Sequence, residues 1–163
     1  MRSQQPVFVL PDLRPLVRQA VRLTPSQVSH KIAQLALNRL FAQALKAGEL
    51  AFLNGRSVRI SVSDINLDIV ISGAANTLSV GAPGCTQDVT LRASSEALLA
   101  IITNQSDPDT LFFNRQLSLA GDTELGLHLK NYLDTCEPEQ LLPGPIYRAL
   151  ALGYRAHPAH HAT

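Results

Sequence analysis

The chain has 163 residues, enough for one domain whose core needs neither disulfide nor metal. Hydrophobic residues make up 45% and charged residues 17%, the latter below the usual level of about 25%, so an exposed apolar patch, a lipid surface or a subunit interface is expected. The net charge of +1 divides unevenly: residues 1 to 23 hold four Arg against Asp12, while the other residues hold 10 basic and 12 acidic groups, which excludes a basic nucleic-acid-binding face and suits contact with an anionic membrane surface.

Leu13, Leu16, Val17, Ala20 and Val21 fall at i, i+3, i+4, i+7 and i+8, one apolar stripe on a helix over residues 12 to 23. Arg14, Arg18 and Arg22 repeat every four residues and form a ridge beside it. Such a helix can lie in a membrane interface, with Leu13, Leu16, Val17 and Val21 among acyl chains and the arginines at phosphate level. It can equally dock on its own domain or on a second subunit, giving a homodimer. Thr24-Pro25-Ser26-Gln27 reads as a capping box with Pro at the first helical position. The helix it opens runs to about Lys46, with Val28, Ile32, Leu35, Leu40, Phe41, Ala44 and Leu45 on the buried side, and Gly48 ends it.

A strand-rich region follows. Glu49 to Leu53 is expected as a short strand, and Asn54-Gly55 as a hairpin turn. Val58, Ile60 and Val62 alternate with Arg59, Ser61 and Ser63, as in a sheet with one wet face. Leu67, Ile69 and Ile71 continue the pattern, Gly73 to Asn76 turns, and Leu78, Val80, Val89 and Leu91 mark two further strands around a loop at residues 81 to 87. Ser94 or Ser95 caps a helix to about Asn104, whose run LLAIIT is apolar on nearly every side. Asp107 to Phe113 gives a turn and one helical turn, Gln116 to Ala120 a last strand, and Thr123 to Thr135 an amphipathic helix. A further helix is expected in residues 139 to 155, regular from about Pro145, before a disordered tail, HPAHHAT. The division expected is a basic arm (1–23), a domain (24–135), a C-terminal helix (136–155) and a tail (156–163). The fold class is α+β, with helices on one face of a mainly antiparallel sheet.

Covalent chemistry finds little support. No G-x-S-x-G elbow occurs, and Cys85 and Cys136 stand in neither metal-ligand nor catalytic spacing. His157, His160 and His161 lie in the tail without a nearby carboxylate or thiol to complete a metal site. Gly81-Ala82-Pro83-Gly84 lacks the Lys-Ser/Thr ending of a phosphate loop. Asp107, Asp109, Asp122 and Glu124 cluster, but Asp107 and Asp122 sit where helix starts want acceptors. A hydrolase using His128 with Asp122 or Glu124 is the catalytic alternative. The apolar residues of the second half can be solid core or the lining of a cavity, and one sequence does not separate the two. No run of about 18 apolar residues occurs, and PVFVLPDL is too short for a signal core, so the chain is read as cytoplasmic.

The segments LTPSQVSHKIAQLALNRLFAQALKAGELAFLNGRSVRISVSDINL and DPDTLFFNRQLSLAGDTELGLHLKNYLD carry a resemblance that spans roughly residues 23 to 135. They resemble the sterol-carrier-protein-type lipid-binding domains, and among these the accessory factors of oxygen-independent ubiquinone biosynthesis. The resemblance implies a five-stranded sheet covered by helices around a hydrophobic tunnel, no enzymatic activity and no cofactor. It implies isoprenoid quinone intermediates or phospholipid as ligands, and hydroxylation proteins of the UbiU and UbiV type as partners. On the matching motif, Phe112, Phe113, Leu117, Leu119, Leu125 and Leu129 are the implied lining, and Leu98, Leu99, Ile101 and Ile102 join them by position. The alternative is a scaffold protein of the same fold with a filled core.

Overall fold

The computed structural model describes residues 26–84 and 86–137, together with the single positions 19, 144, 145, 147, 148 and 151. The expected N-terminal helix with Leu13, Arg14, Leu16, Val17, Arg18, Val21 and Arg22 lies outside the described residues, as do Thr24, Pro25 and the tail.

The expected helix to Lys46 is two helices. Helix α1 (Ser26–Leu40) stops at Phe41, whose backbone (φ −95°, ψ 15°) breaks the regular turn, and α2 (Ala42–Ala47) continues. Gly48 then takes φ +77°, a left-handed conformation that glycine adopts without Cβ strain, and its N–H reaches the Ala44 and Leu45 carbonyls. Ala33, Leu37, Phe41, Ala44 and Leu45 face the core at helical spacing. Ile32 and Leu35 do not: against expectation they are 60% and 70% exposed. The sheet-facing side of α1 is rotated away from them because it carries Gln34 and Asn38, whose side-chain amides bond the sheet's edge.

The expected strand at Glu49 to Leu53 is a 3-10 turn, Ala51–Leu53, in which Leu53 is driven into the core. Asn54-Gly55 forms no hairpin. Asn54 makes a parallel bridge to Gly73, and Gly55 N–H donates to the Gly73 carbonyl at 2.9 Å, so this corner docks on a strand that comes later in the chain. The tight hairpin falls at Ala75-Asn76 instead, where both residues have positive φ (44° and 62°), the requirement of a two-residue I′ turn.

Five strands follow: β1 (Ser57–Val62), β2 (Leu67–Ala74), β3 (Thr77–Gly81), β4 (Val89–Ala93) and β5 (Leu117–Gly121), in the order β3-β2-β1-β4-β5. Three pairs are antiparallel, and the central β1–β4 pair is parallel. Between β4 and β5 lie α3 (Ser95–Ile102) and α4 (Pro108–Phe113), and α5 (Thr123–Thr135) ends the domain. Side-chain acceptors start all three helices: Ser94 for α3, Asp107 for α4 and Asp122 for α5. Ser95, the other capping candidate, instead bonds Asp64 through both its amide and its hydroxyl.

The register places every large aliphatic strand residue but Val70 on one face. Val58, Ile60 and Val62 of β1 stand opposite Ile71, Ile69 and Leu67 of β2, and opposite Val89, Leu91 and Ala93 of β4. Leu91 and Ala93 in turn stand opposite Leu119 and Leu117. The other face carries Ser57, Arg59, Ser61, Asp68, Ser72, Thr90 and Ser118, with Arg59 Nε donating to Asp68 at 2.7 Å. The helices cover the apolar face, where fully buried side chains such as Val62 and Leu117 each stabilise by about 1.5–3 kcal/mol. Beyond the domain, Tyr147 is helical and its hydroxyl donates to the Thr103 carbonyl at 3.1 Å.

Candidate functional site

Two apolar clusters share the covered face. One gathers α1, α2 and the 3-10 turn over β2, β3 and the start of β1, with Leu125 of α5. The other gathers α3 and α4 over β4 and β5. Ile60 and Leu119 touch both clusters. Between them the cover thins. On the central strand Val58 and Val62 are 3% and 0% exposed, yet Ile60 between them, on the same face, is half-buried. Its cross-strand neighbour Ile69 is half-buried too, as are Leu67 and Leu119. In a two-layer domain the middle of the central strand should be the driest place. Its partial exposure marks an apolar seam at the β1–β2 centre, which Leu91, opposite Ile60 on β4 and 4% exposed, closes on the β5 side.

Beyond Leu91, a surface groove of about 270 Å³ lies between α4, β5 and α5. Phe112, Leu119, Gly126 and Leu127 supply its apolar walls, and Asp122, Thr123 and Lys130 stand at its polar end. At Gly126 a Cβ would meet Leu119 at an ordinary 3.9 Å, so alanine fits and only a larger side chain would fill the groove. Glycine at this helical position costs about 1 kcal/mol relative to Ala. Lys130 Nζ lies 2.6 Å from Asp109 and 3.3 Å from Asp134, and these contacts, Asp109 first, raise its pKa. Arg56 joins Asp88 (3.3 Å) to Asp122 (2.8 Å). The Asp122 carboxyl is held below the usual range, first by the Leu125 N–H that it caps and also by Arg56.

The sequence-expected lining residues separate into four settings. Phe112 and Leu119 line the groove, and Phe113, beside Phe112 in sequence, is 87% exposed. Leu117, Leu125 and Ile101 lie inside the clusters at 1%, 2% and 9% exposure. Leu98, Leu99, Ile102 and Leu129 are half-buried, with Leu98 packed on one cluster and Leu129 on the other. Ile60, Ile69, Gly126, Leu127 and Lys130 were not among the expected lining residues. A glycine inside a helix was a usable signal for Gly126. Nothing local distinguishes Ile60 from the buried Val58 and Val62.

The chemistry available here is slight. Asp107 accepts from Thr110 N–H at 2.8 Å, and Asp122 accepts from Leu125 N–H at 2.9 Å, so both serve as helix caps. His128 stacks on Phe52 with ring centres 5.9 Å apart. Tyr132, tilted against Phe41 and Phe52, has its phenol pushed up by burial. No group of three His, Cys, Asp or Glu that could hold a metal occurs among the described residues, and no described helix is long and apolar enough to cross a membrane.

Comparison with known proteins agrees with this geometry. Residues 37–134 match the model of the SCP-2 sterol transfer family. Two curated relatives, each called ubiquinone biosynthesis accessory factor UbiT, come from Escherichia coli strains K12 and O157:H7. Each is 42% identical over 126 residues, which is 77% of this chain and 72% of the relative. Among solved structures, the UbiJ-SCP2 ubiquinone synthesis protein superposes with a TM-score of 0.55 at 18% identity, covering 83% of this chain and 99% of that one, a likeness of fold. The chain belongs to the SCP-2 sterol transfer family, in the branch that holds the UbiT accessory factors.

Proposed function

We propose that this chain is a non-catalytic lipid-binding accessory factor of oxygen-independent ubiquinone biosynthesis. It holds polyprenylated quinone precursors, or phospholipid, along the apolar seam and presents the head group to hydroxylation proteins of the UbiU and UbiV type. The observation that carries the reading is the half-buried centre of the sheet, Ile60 and Ile69, with an open groove lined by Leu119 beyond the buried Leu91. A prenyl tail supplies the apolar surface that this seam lacks, at about 0.8 kcal/mol for each CH₂ removed from water, and ordering costs reduce the total. The polar end at Asp122, Thr123 and Lys130 suits a head group that stays accessible. Phe112, Leu119, Leu98, Leu99 and Ile102 then contact the guest, while Leu117, Leu125 and Ile101 shape its wall from inside the clusters.

Loading and unloading need a membrane. From Leu13 to Gly48 the chain has six Arg and Lys residues and no Asp or Glu. Ile32 and Leu35, exposed on α1 among Lys31 and Arg39, continue the apolar and basic character of Leu13, Leu16, Val17, Val21, Arg14, Arg18 and Arg22. This segment supports reversible peripheral attachment to anionic bilayers.

The test is native mass spectrometry and lipid extraction on the gently purified chain, followed by addition of prenylated phenols. Co-purified or readily bound prenyl compounds or phospholipid support the carrier. A lipid-free chain that refuses both would leave the scaffold alternative standing.

A further inference from the structure

Among the described residues, one edge of the sheet is closed and the other is open. At β3, Asn38 donates to the Leu78 carbonyl at 2.6 Å and accepts from the Leu78 N–H at 2.8 Å, and Gln34 accepts from the Val80 N–H at 3.5 Å. At β5, no described residue bonds the outward side of the strand. Which groups face outward follows from the pairing with β4. Asp122 N–H donates to the Asp88 carbonyl at 2.8 Å, so Ala120 and Ser118 also turn their backbone groups inward, and Leu117, Leu119 and Gly121 turn theirs outward. An unpaired row of this kind is a template for another strand. Leu127, which shares the groove with Leu119 and Ala120, is 57% exposed, and Phe113, four residues before the strand in sequence, is 87% exposed. Arg115 and Glu124 stand just beyond its two ends, both exposed and without an ion-pair partner among the described residues.

We propose that this edge pairs with its own copy. Two chains join β5 to β5, antiparallel about Leu119, into one ten-stranded sheet. In that register Leu117 stands opposite the partner copy's Gly121, and Ser118 opposite its Ala120. The small exposed side chains of Ser118 and Ala120 permit the approach. Arg115 comes alongside the start of the other copy's α5, where Glu124 sits, and the reverse contact follows from two-fold symmetry. Peptide groups on the edge bond water or another strand, and acyl chains supply neither. Asp107, Asp109 and Glu124 around it also oppose an anionic bilayer. The two grooves meet over the joint, so that each copy gives the other a second wall. The pairing itself does not rest on what fills those grooves.

The full chain is measured by size-exclusion chromatography with light scattering over about a hundredfold range of concentration. The expected result is a concentration-dependent dimer. Arg115→Glu weakens it roughly tenfold by placing two carboxylates together at each symmetric contact. Glu124→Arg weakens it similarly, and the double exchange restores it. A chain with both Ser118→Cys and Ala120→Cys oxidises to a covalent dimer, because non-hydrogen-bonded pairs bring Cα atoms within disulfide reach. Either single variant leaves each new thiol opposite a hydroxyl or a methyl and stays at the level of the parent chain. A monomer at every concentration overturns the proposal. So does a dimer indifferent to the charge exchanges, or single cysteines that cross-link as well as the pair. A monomer whose Phe113→Ser variant comes off vesicles would assign the patch to a lipid surface instead.

Discussion

At the scale of single residues, the corner where β5 meets α5 leaves little room for change. Gly121 has φ +119°, and a Cβ built there would run into the Asp88 carbonyl oxygen. Gly121→Ala must therefore move either strand β5 or the Asp88 loop. A loss of about 1–3 kcal/mol is expected in urea unfolding. The same corner sets a pH dependence. Hydrogen bonds from the Ser57 N–H and hydroxyl, then Arg56, hold the Asp88 carboxyl below its usual range; the Leu125 N–H does the same for Asp122. A carboxyl with a depressed folded-state pKa favours the folded chain above its unfolded value, near 4, and loses that contribution as pH falls through the folded value. The melting temperature should hold level above about pH 5 and fall below about pH 4. Asp88→Asn should flatten that fall while lowering the plateau, and thermal scans across the range read both.

Among the elements, α1 does two jobs on two faces. Inward, Ala33 and Leu37 pack on the core while Gln34 and Asn38 substitute for a sixth strand along β3. Outward, Ile32 and Leu35 cover nothing described. Replacing both with Ser should leave the melting temperature within a degree or two, since exposed substitutions cost under about 0.5 kcal/mol, and should reduce flotation with anionic vesicles. Salt should weaken flotation of the parent chain in part, the remainder being apolar insertion. Unchanged flotation would remove α1 from the attachment surface. This division shows what a sequence can and cannot display. Helix starts at Ser94, Asp107 and Asp122 were legible because cap and amide lie within three residues of each other. The alternation of β1, β2 and β4 was legible because one wet face imposes it. The rotation of α1 was not, because it depends on bonds between Asn38 and Leu78, 40 residues apart. The Glu49–Leu53 turn was missed for a similar reason: Leu53 is held against Gly73, where any side chain would clash, and no local pattern announces that contact.

For the whole molecule, the question is whether the thin cover over Ile60 is a place for a guest or merely looser packing. The strand register settles which residues face inward, and family likeness named candidate lining residues, but the spacing between two helical layers is a property of the assembled domain. A single enlargement separates the possibilities. Ile60→Phe adds volume where the two clusters meet, between Ile69 and Leu91. If the seam accepts a prenyl or acyl chain, the ring occupies that space. The variant should then melt no lower than the parent freed of lipid, while binding of added prenylated phenols drops about tenfold or more, since even two lost CH₂ contacts are worth roughly 1.6 kcal/mol. If the layers are already closed around Ile60, the ring has nowhere to go and overpacking costs about 1–3 kcal/mol. The two outcomes move stability and binding in different combinations, so a melting curve and a binding isotherm on the same sample decide between them. A destabilised variant that still binds prenyl compounds normally would move the guest away from the sheet's centre and sink the carrier site as drawn.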